Sequence, residues 1–530
     1  MNFWLLVSLI TFSVGGIFSL QQKLQMFQQN SYFPERYLKW IKLNISVKTI
    51  YSAMFLIITA ALSCVKATHF LPVIAIFELI LRIFSCRINI KKSIKKLVYT
   101  ARIKRLIISS CILLALLTAL SFCIQSNLLS GIFTIILLIF VHFSEILVLT
   151  TNLINKPIET SINNYYINDA KKILAQHKNL TTIGVTGSYG KTSVKFILNR
   201  ILNEAFNTTA TPESFNTPMG IVRTVREHMK PQTEVFIAEM GAKNKGDIKE
   251  LCDLCHPEMG IITAVGPQHL ETFGTVENVA KTKFELADAV FSKGNGKIYV
   301  NFNSSPAKEY TKSIVDKSKI VSFGTDSECD CRAENILSTP NGTAFRVVYK
   351  NYDFPVACRL LGKHSVTNIL GAIAIALDLG VSEKKIRFAV SSLKATEHRL
   401  ELKPFLNGSV LIDDAYNSNP EGCLEAVRVI GSFDGMKRIL VTPGLVELGE
   451  KEYEYNFALG KEATKHCDYI ILVGHKRAVP MQDAIFKTTF NQSNVLVVDD
   501  FKTAMQYLNK MTDSNTVVLF ENDLPDNYAG

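Results

Sequence analysis

The sequence predicts an α-helical transmembrane domain followed by two α/β domains, the first of them of P-loop type. Three observations predict this. Five apolar runs crowd into the first 150 residues. From about residue 165, short β-type runs alternate with helical patterns, and the series restarts near 395, as expected of parallel sheets with crossover helices. Within the first series, Gly184-Val185-Thr186-Gly187-Ser188-Tyr189-Gly190-Lys191-Thr192-Ser193 places a Gly-rich turn between a strand and a helix.

The apolar runs cover about 2–20, 50–65, 69–86, 106–124 and 130–150, each near the roughly 17–25 residues that cross a bilayer as helix. The second and third are separated only by Lys66, Ala67 and Thr68, so they form either a helical hairpin or one irregular span, giving four or five spans. The first run lacks a basic leading segment and further spans follow, so it reads as a span and not as a cleaved signal peptide. Residues 1–150 carry 15 Lys/Arg against three acids, and the remainder is nearly neutral. The net charge of +11 is therefore a membrane-flank signal, and a nucleic-acid partner, which would need a basic face on a folded domain, is not expected. Apart from Lys66 and Arg82, the basic residues fall in the stretches 21–49 and 87–105. Five spans put both on the cytoplasmic side and release residues 151–530 into the cytoplasm. Glu78 and Arg82 are four apart and can pair on one helix face, and His142 and Glu145 are three apart. Such groups are functional candidates, but all four lie near span ends, where long side chains reach the interface.

Residues 151–179 read as a linker, 180–394 as the ATP-binding domain and 395–530 as a second α/β domain. Expected strands of the first are Thr182–Val185, Val235–Ala238, Met259–Thr263, Lys297–Asn301 and Ile320–Phe323. Two antiparallel runs, Phe345–Tyr349 and Phe354–Leu360, follow, and then a helix over Asn368–Leu379. The second series is Ser409–Asp413, Arg438–Thr442, Tyr469–Val473, Val495–Val498 and Val517–Phe520. The eleven cysteines show no disulfide framework, and a cytoplasmic domain keeps them reduced. Cys252-Asp253-Leu254-Cys255-His256 has the form of a haem attachment site, but it lies in a helical pattern on the wrong side of the membrane. Buried thiols are the expected state, with zinc shared between Cys252/Cys255 and Cys329/Cys331 as an alternative.

The chemistry-bearing segments sit at strand ends. A Gly-rich turn before a helix presents backbone N–H groups to phosphate. Lys191 can reach the β/γ-phosphates, and the hydroxyl of Thr192 or Ser193 can face Mg²⁺. Glu239 ends the run Phe236-Ile237-Ala238-Glu239-Met240-Gly241-Ala242 and is placed to hold Mg²⁺. His269 follows another strand in Gly266-Pro267-Gln268-His269-Leu270-Glu271 and can bind a second metal ion or a phosphate. Lys281 and Lys283 read as a solvated helix face. Asp413-Asp414-Ala415-Tyr416-Asn417-Ser418-Asn419-Pro420 reads as a ligand-facing loop, or as simple helix capping.

Together these segments resemble the Mur ligase family, and within it the MurF branch. The family's phosphate loop, Gly-x-Thr-Gly-[Thr/Ser]-x-Gly-Lys-[Thr/Ser], has its glycine one place off the strict P-loop pattern, as here. Thr211–Asn216 with Gly220, Glu239–Ala242, Gly266–Glu271, Ala280–Leu286, Gly362–His364 with Asn368, His398–Glu401, Asp413–Pro420 and Glu447–Glu450 follow in the family's order. The resemblance covers roughly residues 180–475 and implies a Rossmann-like C-terminal ligase domain. It implies that Gly187, Ser188, Gly190, Lys191, Thr192 and Ser193 cradle the ATP phosphates, that Asn301 lies near the adenine and that Asp414 meets the ribose. Thr192, Glu239, His269 and Lys283 would hold Mg²⁺, Lys283 as a carbamate. Arg399 would reach the γ-phosphate, while Asn216, Asn417 and Asn419 would face substrate. Lys191, Lys283, His269 and Arg399 are the implied catalytic set. The implied reaction is ATP-dependent amide formation. A carboxylate takes the γ-phosphoryl group, and an amine, an amino acid or a dipeptide such as D-Ala-D-Ala, displaces phosphate.

The chain departs from the family pattern at Ala264 and Gln268, where Asn and often Ala are usual. Val518–Pro525 lacks the usual Lys-Gly-Ser. Membrane helices stand where the family's UDP-sugar domain is expected. The acceptor is then a UDP-linked muramoyl peptide or a lipid-linked precursor held with membrane lipid. A poly-γ-glutamate-type polymer, a glycolipid acceptor and a non-catalytic ATP-binding scaffold are the alternatives.

Overall fold

The computed structural model describes residues 3–43, 54, 57–58, 71–92, 96–124, 127–268, 270–415, 419–446 and 448–522. They fall into two compact units, Met1–Tyr165 and Tyr166–Gly530.

The first unit is helical: α1 (Phe3–Gln29), α2 (Pro34–Leu43), α3 (Leu71–Lys92), α4 (Ala101–Cys123), α5 (Asn127–His142) and the first part of α6 (Ser144–Gln176). The stretch read as a linker is thus helical as far as Gln176. Leu9, Leu24, Phe27, Leu106, Leu114 and Val141 make a core. Ile10, Ile17, Phe77, Ile80, Ile108, Ile112 and Ile135 point outward and are exposed. Among the described residues, α4 is long and apolar enough to cross a membrane, and α5 with α6 passes the same test as a pair bent by 104°. Most of the run 50–65 lies outside the described residues.

Glu78, Arg82 and His142 do not reach out to an interface but meet inside this unit. Arg82 Nε donates to Glu78 at 2.9 Å and Nη1 to the Val141 carbonyl at 2.8 Å, while His142 Nδ1 lies 3.0 Å from Glu78. Helix packing brings α3 and α5 together, and mutual pairing offsets the loss of water. Glu145 pairs instead with Lys23 of α1.

The second unit holds two sheets. The first has the order β2-β3-β1-β4-β5-β6-β7-β8-β9. Its parallel part is β1 (Thr181–Thr186), β2 (Thr208–Ala210), β3 (Val235–Glu239), β4 (Met259–Ile262), β5 (Lys297–Asn301), β6 (Ile320–Gly324) and β7 (Cys331–Thr339). The antiparallel strands β8 (Gly342–Tyr349) and β9 (Tyr352–Cys358) extend it. Strand order reverses beside β1, whose following loop therefore opens into a crevice at the carboxyl ends. The helices α7 (Lys191–Leu202), α8 (Val276–Lys283) and α9 (Lys363–Asp378) frame that edge. Apolar side chains pack both faces, Ile183, Val185, Leu198 and Ile373 on one, Phe236, Ile262 and Leu286 on the other.

Cys252 and Cys255 belong to the second of these clusters and Cys331 to the first. The sheet separates them, which removes the shared zinc site, and no group of three metal-binding side chains is found among the described residues. Burial pushes the Cys255 thiol up to about 12 and raises Cys252 and Cys331 as well. They are neutral packing thiols.

The second sheet, in the order β10-β11-β15-β12-β13-β14, comprises β10 (Glu401–Pro404), β11 (Val410–Asp414), β12 (Lys437–Thr442), β13 (Tyr469–Val473), β14 (Val495–Val498) and β15 (Thr516–Glu521). All pairs are parallel except β10 with β11. The helix α10 (Pro420–Gly431) follows β11.

Candidate active site

The phosphate loop begins later than a strict P-loop because β1 runs on to Thr186. Val185, where the strict pattern has glycine, is a fully buried strand residue. The turn therefore needs its glycine at 187, where φ is +148° and a Cβ would meet the Ala264 backbone at 3.0 Å and collide with Thr263 Oγ1. Gly190 caps α7 with φ +79°, and a Cβ there would lie 2.9 Å from Asn368 Oδ1. Only glycine accepts both positions without strain.

The loop is laced to the segment after β4. The Ser188 amide donates to the Ala264 carbonyl at 2.6 Å, its hydroxyl donates to the Gly266 carbonyl at 3.1 Å, and the Tyr189 hydroxyl donates to Pro267 at 2.6 Å. Ser188 is therefore a buried brace. Lys191 curls over the turn, its Nζ donating to the carbonyls of Gly187 (2.8 Å) and Ser188 (3.1 Å). Burial lowers the Lys191 ammonium to about 8, the charge of Arg399 adds to that, and Glu239 opposes it.

Glu239, 1 % exposed at the end of β3, is the polar hub. Its Oε1 accepts from the Thr192 hydroxyl at 3.2 Å and from Asn216 Nδ2 at 3.1 Å, and its Oε2 accepts from Lys195 Nζ at 3.0 Å. Gly241 permits this approach, since a Cβ there would lie 2.8 Å from the Asn216 carboxamide. Lys195, fully buried on α7, also donates to the Glu213 carbonyl. The sequence reading missed it, because a lysine one turn into an amphipathic helix looks like a solvated one.

Lys283 ends α8 with 1 % exposure. The solvated face expected there is thus confined to Lys281, which is exposed. Burial, and then the charge of Lys191, push the Lys283 amine far below the ordinary lysine range, against the pull of Asp247 and Glu285.

A cavity of about 710 Å³ lies between the two sheets' carboxyl edges, within the second unit. Gly190, Ser193, Asn301, Arg399, Asp414 and Asn419 line it. So do Asn303 and Asn368, which carried no role in the sequence reading. Asn301 is partly engaged, its Oδ1 accepting from the Asn303 amide at 2.9 Å. Asn419 caps α10, its Oδ1 accepting from the Gly422 amide at 2.9 Å. That oxygen is spent on capping, the local reading of the Asn-Pro pair. His269, Asn417 and Glu447 lie outside the described residues.

Two family models match the chain, the Mur ligase middle domain over residues 185–376 and the Mur ligase glutamate ligase domain over 398–521. The chain is 28 % identical over 352 residues to the UDP-N-acetylmuramoyl-tripeptide–D-alanyl-D-alanine ligase of Bacillus subtilis, covering 66 % of this chain and 74 % of the relative. The Escherichia coli enzyme of the same name is 27 % identical, with 61 % and 72 % covered. Among solved structures, MurF from Acinetobacter baumannii superposes with a TM-score of 0.61 at 24 % identity, over 68 % of this chain and 77 % of that one. MurF ligase from Thermotoga maritima in complex with ADP gives 0.60 at 24 %, over 68 % and 80 %. These superpositions speak for the fold, and the two family models together match more than half of the chain. The chain therefore belongs to the Mur ligase family, as an ATP-dependent peptide ligase of the MurF type.

Proposed function

We propose that the chain joins an amine, an amino acid or a dipeptide such as D-Ala-D-Ala, to the carboxylate of a cell-wall peptide precursor, and that it does so at the cytoplasmic face of a membrane. The observation that carries the reading is the convergence on Glu239. One buried carboxylate takes the hydroxyl of the phosphate-loop Thr192 and the carboxamide of Asn216, so the phosphate side and the acceptor side of the site share one anchor.

The residues fit Mg²⁺. A carboxylate and a hydroxyl, both hard oxygen donors, stand together at the phosphate loop, and such an ion completes its shell with phosphate oxygens and water. Thr192 and Glu239 would hold it, and bound there it neutralises charge on the phosphates. Burial and the charge of Lys191 favour the uncharged Lys283 amine, the form that adds CO₂ and loses a proton to give a carbamate, and Lys191 would neutralise the anion so formed. The chain's own steps are then electrostatic and geometric. Lys191 and Arg399 stabilise charge on the transferring phosphoryl group. Asn301 and Asp414 hold the nucleoside in the cavity. Asn216 orients the carboxylate that becomes the acyl-phosphate, and closure of the second sheet's domain shields that intermediate from water.

The helical unit, apolar outside as well as inside, supports a multi-pass membrane anchor in place of a UDP-sugar domain, and with it a lipid-linked acceptor. The test uses the full chain in lipid nanodiscs with D-Ala-D-Ala as amine. ADP release is measured with UDP-linked and with lipid-linked muramoyl tripeptide. Faster turnover of the lipid-linked acceptor is expected. Equal or better turnover of the UDP-linked peptide overturns the acceptor assignment, and no stimulation by either overturns the ligase reading.

A further inference from the structure

Glu521 stands where the family's Lys-Gly-Ser segment is expected, and it is completely buried. It ends β15, and parallel pairing puts it in register with Asp414, the last residue of β11. Register partners in a parallel pair share a face, so two carboxyl groups lie side by side at the ligand-bearing edge. Glu521 hydrogen-bonds Asp414 and its Oε1 accepts from the Cys423 thiol of α10 at 2.8 Å. Asp414 Oδ1 in turn accepts from the Leu400 amide at 3.1 Å, and Asp414 and Arg399 both line the cavity. The turn carrying Arg399 is held open by left-handed residues on either side, His398 at φ +57° and Leu400 at φ +46°. Such a turn persists only where its surroundings over-determine it.

We propose that Glu521 is a positioning residue for Arg399. By hydrogen-bonding Asp414 from the neighbouring strand, it fixes the Asp414 carboxyl under the Leu400 amide and keeps the Arg399 turn facing the cavity. The proposal rests on Arg399 serving the nucleotide, as read above.

Two carboxyl groups in one hydrogen bond share a proton and titrate as a pair. Burial raises Asp414 to about 6, against the Leu400 amide, the Glu521 bond and the charge of Arg399, while Asp413 adds to the rise. The other groups facing the pair are Cys423 from α10, and His398 and Lys403, which hydrogen-bond Asp413 at 2.8 Å and 2.7 Å. A bond that favours the ionised Asp414 is one that Glu521 donates, so as pH rises past about 6 the remaining proton stays on Glu521 and holds the Asp414 carboxylate in place.

The test is the affinity of the full chain for a non-hydrolysable fluorescent ATP analogue, read from pH 5 to 8, for wild type, Glu521→Gln, Glu521→Leu and each in an Arg399→Ala background. Glu521→Gln, whose carboxamide donates to Asp414 as the protonated Glu521 does, should bind as tightly as wild type and follow the same pH profile. Glu521→Leu should weaken binding about tenfold at every pH, but not when Arg399 is already Ala, the non-additivity of residues acting through one another. Thermal melts identify a variant that fails to fold, and the Gln profile then decides. Additive losses, or a Gln variant that binds as weakly as the Leu variant, overturn the proposal alone. An Arg399→Ala variant that binds the analogue normally overturns the reading of the site as well.

Discussion

The two sides of the cavity are built differently. On the phosphate side, a strand end, a glycine turn and a helix start are locked by backbone hydrogen bonds to the segment after β4, and the charged groups behind them are buried. On the hinge side, Arg399 sits between two residues in left-handed conformations and is steadied by carboxylates at the ends of β11. The first side is preorganised in its backbone, with Lys191 folded onto the Gly187 and Ser188 carbonyls. The second is held by side-chain contacts that a domain movement can exchange. The comparison predicts that lesions on the phosphate side abolish chemistry, and that lesions on the hinge side tune it.

The largest effect is expected at Glu239. Glu239→Ala removes the anchor of Thr192, Asn216 and Lys195 at once, leaving a buried ammonium unpaired. Turnover should fall by about 10³-fold or more, the scale seen when a preorganised electrostatic group is lost, and the melting temperature should drop as well. Single-turnover ADP release would show it, and residual activity within tenfold of wild type would break the assignment. Lys283→Ala comes next, with a loss of about 10²-fold. Because the proposed group is a carbamate, added formate or acetate should restore part of the rate by supplying a carboxylate to the vacated volume. A variant left equally inactive at all carboxylate concentrations would sink the carbamate. On the hinge side, Arg399→Ala should lower kcat about tenfold to a hundredfold with an unchanged melting temperature, since the half-exposed Arg399 belongs to no packed core.

This division also explains what could be read in advance. Strands rich in Val and Ile, such as Val235–Glu239 and Tyr469–Val473, were legible because burial on both faces demands such runs. β7, Cys-Arg-Ala-Glu-Asn-Ile-Leu-Ser-Thr, was not, because half of it faces water and its apolar residues alternate with charged ones. The short β2 and β10 gave too few residues for a period. The Gly187 and Gly190 turn and Glu239 were legible because their chemistry is local. Lys195, Asn303 and Glu521 were not, since their meaning lies in partners up to about a hundred positions away. In the polar cluster the Glu78–Arg82 pair, four apart on α3, was legible, whereas His142 was not, since α3 and α5 meet only in three dimensions.

The smallest effects sharpen the comparison through stability. Gly187→Ala places a methyl group against Thr263 and Ala264 at a φ that only glycine favours, and should cost about 2 kcal/mol. His398→Asn probes the same kind of backbone on the other side. Asparagine tolerates φ near +57° better than most residues, and its carboxamide can still donate to Asp413, so the folded state should change by less than about 0.5 kcal/mol. Thermal melts of the two variants test the contrast directly. A loss at His398→Asn as large as that at Gly187→Ala would mean that the imidazole–Asp413 contact is as rigidly required as the phosphate loop. The hinge would then have to be regarded as a fixed wall of the site, and closure would have to pivot elsewhere.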